Sequence, residues 1–88
     1  MVSTHRVILT RDNPNLLSMG VGGNQKLFES EGIRTWLAVR NILRIGYSSN
    51  TKTNTVWTVT RYVEGTRAER HFVFGSKRTA MAFKLRFG

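Results

Sequence analysis

Apolar and polar residues alternate from Thr55 to Val63 and again from Arg67 to Phe74, with Glu64-Gly65-Thr66 between the runs. Both runs are rich in β-branched and aromatic residues, which suit a half-buried pleated surface. The pattern predicts two strands of a hairpin, with Gly65 available for positive φ in the turn. Two registers fit. A two-residue turn pairs Trp57 with Phe72 and Val59 with Arg70. A three-residue turn pairs Trp57 with Val73 and Arg61 with Glu69. The second gains a cross-strand ion pair worth about 0.2–1 kcal/mol, and the pattern leaves both open.

After Gly75 the period changes. Ala80, Phe83 and Phe87 recur at i, i+3 and i+7, and Met81 and Leu85 form a second stripe at i and i+4. Ser76 is a suitable N-cap, so a helix is expected from about Lys77 to Phe87. Its apolar circumference is wide enough to require the sheet on one side and something else on the other. The Leu27–Phe28 segment and a second subunit are the candidates.

Upstream, Val7, Ile8 and Leu9 predict a short strand over residues 5–11, ended by the turn formers Asp12-Asn13-Pro14-Asn15. Leu16 to Asn24 carries Gly20, Gly22 and Gly23 and reads as an irregular loop. It lacks the spacing of a dinucleotide loop and the Gly-Lys-Ser/Thr of a P-loop. Gln25 to Glu31 reads as two turns of helix stopped by Gly32. Ile33 to Tyr47 alternates, with the odd positions almost all apolar and the even ones basic. A strand, or two with a bend near Arg40-Asn41, fits better than a helix, which would place Arg40 and Arg44 in its apolar arc. Arg34, Arg40 and Arg44 would then project from one face beside Trp36. Ser48 to Asn54 is a polar loop.

Together these elements predict a small α+β domain spanning residues 1–88. Its antiparallel sheet has three to five strands, with a C-terminal helix packed on one face. A chain of this length buries only roughly 60% of the surface its unfolded form exposes. There is no cysteine, and His5 and His71 are the only histidines. Disulfides and structural zinc are therefore not expected, nor is any cofactor. No apolar run approaches the ~20 residues of a spanning helix, and Met1 to Pro14 does not read as a signal peptide. A cytoplasmic protein without membrane association is expected.

Charge changes the picture most. Ten arginines and four lysines face five carboxylates, a net charge of +9. Residues 1–50 hold six basic and three acidic residues, and residues 51–88 hold eight and two. The excess concentrates on the hairpin and its helix. Such a field suits nucleic acid or an acidic protein as partner, and it also serves solubility alone. Lys77 and Arg78 occupy the first helical turn, where the macrodipole disfavours each cation by about 0.3–1 kcal/mol. A phosphate there would relieve the conflict.

The run Gly75-Ser76-Lys77-Arg78-Thr79-Ala80 resembles the end of a double-stranded-RNA-binding domain. In that family three antiparallel strands lead through a glycine into a basic helix start. The resemblance implies that Lys77 and Arg78 grip phosphates. The last fifth of the chain, with Ala80, Phe83, Lys84, Leu85, Arg86, Phe87 and Gly88, resembles a tail found in small uncharacterised bacteriophage proteins. That resemblance implies a viral origin, with the host-cell cytoplasm as the place of action, and brings no activity.

Catalysis is not expected. Asp12, Glu29, Glu31, Glu64 and Glu69 form no evident acid–base or metal pair, and no nucleophile motif is present. A residual enzymatic possibility is an RNA-cleaving site around His71 with Arg61, Arg67, Arg70 and Glu69. The leading expectation is a non-enzymatic, largely sequence-nonspecific nucleic-acid-binding protein. Arg34, Arg40, Arg44, Arg61, Arg67, Arg70, Lys77 and Arg78 would contact phosphates, and Trp36 or Tyr62 would stack on bases. The alternative is a phage protein that inhibits or redirects an acidic host protein. A virion component is the third reading, and a homodimer is compatible with each.

Overall fold

A computed structural model of the chain describes residues 5–20, 26–46, 52–63 and 67–88, apart from the side chains of Val63 and Arg67. The elements are β1 (His5–Thr10), β2 (Leu16–Met19), β3 (Lys26–Glu29), α1 (Glu31–Val39), β4 (Leu43–Arg44), β5 (Thr55–Val63), β6 (Arg67–Phe74) and α2 (Lys77–Phe87). Four strands form one sheet in the order β1-β6-β5-β4, and β2 pairs with β3 in a second. The expected α+β class, antiparallel sheet and C-terminal helix are all present. The two-residue β4 differs in running parallel to β5.

The hairpin takes the register of the three-residue turn: Trp57 faces Val73 and Arg61 faces Glu69. Residues 64–66, expected as the turn, lie outside the described residues. This register gives each strand two chemically distinct faces. Val7 and Leu9 of β1, Phe72 and Phe74 of β6 and Val56 of β5 lie on one face. All five are buried in the hydrophobic core. On the other face lie Arg6 and Ile8, His71 and Val73, and Trp57 and Val59.

α2 packs on the first face through Phe83. Its ring meets Phe72 at 4.8 Å and Phe74 at 5.1 Å between centroids. Ser76 caps the helix as expected, its Oγ accepting from the Thr79 N–H at 3.5 Å. At the other end the Asn13 side chain donates to the Phe87 carbonyl at 2.7 Å, and the Gly88 N–H closes on Lys84 O. A Cβ at Gly88 would sit 2.6 Å from that carbonyl, so only glycine fits. Asn13 can reach because Asp12–Asn15 makes the expected turn, in which Asn13 Oδ1 accepts from the Asn15 N–H at 2.8 Å.

Three expectations for the first half are corrected. Leu16 to Met19 is not irregular loop but β2. Of its glycines, Gly20 takes a positive φ of 89°, and Gly22 and Gly23 lie outside the described residues. Lys26 to Glu29 is not helix but β3. Two short runs that lack the length for independent helix satisfy their backbone by pairing with each other, Leu16 with Glu29 through Met19 with Lys26. Ile33 to Tyr47 is not a strand. Its first part is α1, and Gly32, expected as a helix stop, is its second residue.

α1 ends abruptly. Asn41 adopts φ 56°, the Asn41 N–H bonds to Ala38 O, and the Ile42 N–H bonds to Leu37 O. This is a Schellman motif with asparagine in the left-handed position. Arg40 is therefore the C-cap rather than an intruder on the apolar arc. Arg44 leaves the helix altogether and lies on β4. The common basic face expected for Arg34, Arg40 and Arg44 is divided between two elements. Tyr47 lies outside the described residues.

α1 supplies the second support for α2. Trp36 stands edge-on to Phe83 at 5.6 Å and to Phe87 at 5.9 Å. Met81 and Leu85, expected as a second buried stripe, are instead 56% and 87% exposed. Among the described residues no helix is long and apolar enough to cross a membrane.

Phe83→Ala should lose about 3–5 kcal/mol, the range for truncating a fully buried phenylalanine. With a urea slope of about 1–3 kcal/mol/M for a small protein, the midpoint in equilibrium unfolding is expected to fall by roughly 2 M. Leu85→Ala, on the exposed stripe, should leave the midpoint unchanged.

Candidate nucleic-acid interface

The eight basic positions expected to meet phosphate do not form one surface. Two are tied to a buried carboxylate. Glu29 on β3 is 2% exposed, and its Oε1 accepts from Arg44 Nη2 at 2.6 Å and from Arg70 Nη2 at 3.4 Å. Arg70 also donates to Thr58 Oγ1 at 2.7 Å and to Thr60 Oγ1 at 2.9 Å. Its side chain retains only 16% of its exposure. This network fastens the small sheet to the large one, because β3 brings the carboxylate, β4 and β6 bring its arginine partners, and β5 brings the threonines that hold Arg70. A buried carboxylate is tolerable only when paired in this way.

Arg61 lies at the far end of β5, exposed, opposite Glu69. Arg67 opens β6 opposite Val63. Arg34 is exposed on α1. At 3.6 residues per turn it lies on roughly the opposite side of that helix from Trp36.

Of the remaining three, Arg40 and Arg78 meet around the start of α2. A cleft of about 480 Å³ opens between the end of α1, the turn at Thr53-Asn54 and the first turn of α2. Trp36, Arg40, Asn54, Arg78 and Thr79 line it. Arg40 reaches it because the Schellman turn ends α1 there. Its guanidinium carbon lies 4.3 Å from the centre of the Trp36 ring, within cation–π range. Arg78 is exposed, and no acidic residue stands in the first turn of α2. Lys77 turns to the other side of the helix, toward β1. Of the expected stacking residues, Tyr62 is 45% exposed, whereas Trp36 is half-buried with Arg40 over its ring.

His71 is buried at 6% exposure, on the opposite face of the sheet from Arg70. Arg6 Nη1 lies 3.1 Å from His71 Nδ1, and Glu69 Oε1 lies 3.1 Å from His71 Nε2. Guanidinium can only donate. Nδ1 is therefore the acceptor, and Nε2–H donates to Glu69. The arrangement occupies both ring nitrogens, and Arg6 also stands 5.8 Å from the centre of the Trp57 ring.

Arg6 did not stand out in the sequence. Its position opposite Val73, two residues from His71, follows from strand pairing that local pattern does not contain. The Arg44–Glu29–Arg70 network was equally hidden, because Glu29 stands in a Phe-Glu-Ser-Glu run that carries no local sign of burial.

No known family, curated protein or solved structure matches the chain.

Glu29→Ala should destabilise the protein by roughly 3 kcal/mol, because it leaves the Arg70 cation buried without its counter-charge. Replacing both by methionine should recover most of that loss. Urea unfolding of wild type, the single variant and the double variant measures it.

Proposed function

We propose that the protein is a non-enzymatic nucleic-acid-binding module, largely indifferent to sequence, that grips phosphates around the start of α2. The observation that carries this reading is how the charges are distributed. Among the described residues, several carboxylates are satisfied locally: Glu29 by ion pairs with Arg44 and Arg70, Asp12 by Arg11 at 3.9 Å, and Glu69 by a hydrogen bond from His71. Arg40, Lys77 and Arg78 have no carboxylate within ion-pair distance among the described residues.

Three cations stand near the positive end of the α2 dipole, Arg40 and Arg78 at the cleft and Lys77 on the other side of the helix, and each meets repulsion there. Polyanionic phosphate reverses the sign of that repulsion. Arg40 and Arg78 present planar donors suited to phosphate oxygens, and Lys77 extends the track past the helix. Such contacts position a backbone without reading bases. Arg34 and Arg61 lie farther out and would add to the field rather than to the grip. Arg44 and Arg70 are held by Glu29 and take no part. A bacteriophage origin, with action in the host cytoplasm, is consistent with the tail resemblance and belongs to the proposal.

The Lys77→Glu/Arg78→Glu double variant separates function from stability. Acidic residues in the first turn should raise helix stability by about 0.3–1 kcal/mol each, so the melting temperature should hold or rise. Binding to mixed-sequence RNA and DNA should weaken more than tenfold at 50 mM salt. The slope of log affinity against log salt should fall by about 2 relative to wild type. Absence of wild-type binding near 50 mM salt would refute the proposal.

A further inference from the structure

The opposite flank of α2 carries a second feature, which goes beyond the nucleic-acid reading and does not depend on it. β1 is the outermost strand of the large sheet, with β6 on one side and no strand on the other among the described residues. In an antiparallel pair, alternate residues of an edge strand turn their N–H and C=O groups away from the partner. Over six residues β1 therefore offers about 20 Å of strand edge, at about 3.4 Å per residue.

α2 runs beside that edge. Between them lie two hollows of about 260 Å³ each. Arg6, Val7 and Lys84 line both, so the hollows join into one groove. Val7 forms its buried floor. Ile8 and Met81, 48% and 56% exposed, give it apolar shoulders. Lys77 and Lys84 on α2 give it a cationic rim. Neither lysine has a carboxylate within ion-pair distance among the described residues.

We infer that this groove binds an extended acidic segment of another protein, which adds to the sheet as a strand outside β1. Edge strand beside helix is a geometry suited to strand addition, in which backbone bonds supply affinity and alternate side chains supply specificity. Every second side chain of the guest would face α2, where carboxylates meet Lys77 and Lys84. Charge decides against a second copy of this chain as the occupant. Its own β1 would bring Arg6 and another rim of lysines to a surface that is already cationic, on a protomer of net charge +9.

The test uses the full chain and a capped, fluorescein-labelled heptapeptide of alternating glutamate and valine, with binding read by anisotropy and amide chemical shifts at low salt. Two further peptides carry N-methyl groups at the odd or at the even positions. Strand addition predicts that one methylated peptide loses at least tenfold in affinity while the other keeps most of it. Shifts should concentrate in residues 5–10 and 77–88. Lys84→Glu should weaken the peptide at least threefold. Arg40→Glu, which lies across α2, should bind peptide as wild type does while losing nucleic acid, so the two readings fail independently. Equal affinity of both methylated peptides, shifts centred elsewhere, absence of peptide binding, or a dimer that pairs through β1 would each overturn the inference.

Discussion

Phe83 is the point at which three otherwise separate pieces of this chain become one object. It is fully buried, and its ring contacts Phe72 and Phe74 from β6, Phe87 from its own helix and Trp36 from α1. Aromatic pairs at these separations add about 0.5–1.5 kcal/mol each beyond the area they bury. A domain of this size cannot draw on a deep core, and concentrating its apolar contacts on one ring is an economical solution. The arrangement also fixes where α2 begins. With Phe83 seated, the first turn of the helix falls beside the end of α1, and Arg78 meets Arg40 across a cleft. The candidate interface is thus a by-product of core packing, displaced by about one and a half turns of helix.

The Glu29 network performs the complementary task at the other end of the sheet. Apolar packing alone does not tell the β2–β3 pair which way to lie, because hydrophobic contact is non-directional. A buried carboxylate that must meet Arg44 and Arg70 is directional. It selects one placement among several of similar apolar area, at the cost of desolvating charge. Two of the ten arginines serve architecture in this way, which explains why a count of basic residues overstates the surface available to a polyanion.

How far the sequence could be read depended on how local each element's cause is. The hairpin and α2 were legible because their periodicity, the turn between them and the Ser76 cap lie within the segments themselves. Even the register was narrowed to two, one of them favoured by Arg61 and Glu69. The middle third was not legible, for a different reason at each position. Alternation across Ile33 to Tyr47 was produced by joining a nine-residue helix to a short strand across Asn41. A window spanning both averaged two periods into a false third. Leu16–Met19 and Lys26–Glu29 are strands only because each has the other, and pairing across a glycine-bearing connection leaves no local mark. Of the site, Lys77 and Arg78 stood out as chemically misplaced, and they remain at its centre. Arg40 joined them through the way α1 ends, which no pattern of charge revealed.

The hairpin register has one more consequence, for how this chain can vary. Arg70 and His71 are neighbours in sequence but belong to opposite faces, one held by Glu29 and the other by Arg6 and Glu69. Those two sets of partners agree only while the number of residues between β5 and β6 stays odd. Removing or adding one residue would set Phe72 and Phe74 against the wrong side of β5. Related chains should therefore be able to lengthen the connection by two residues and keep this register. A change of one would need a compensating bulge. The constraint that the register places on this connection is one of parity rather than of sequence.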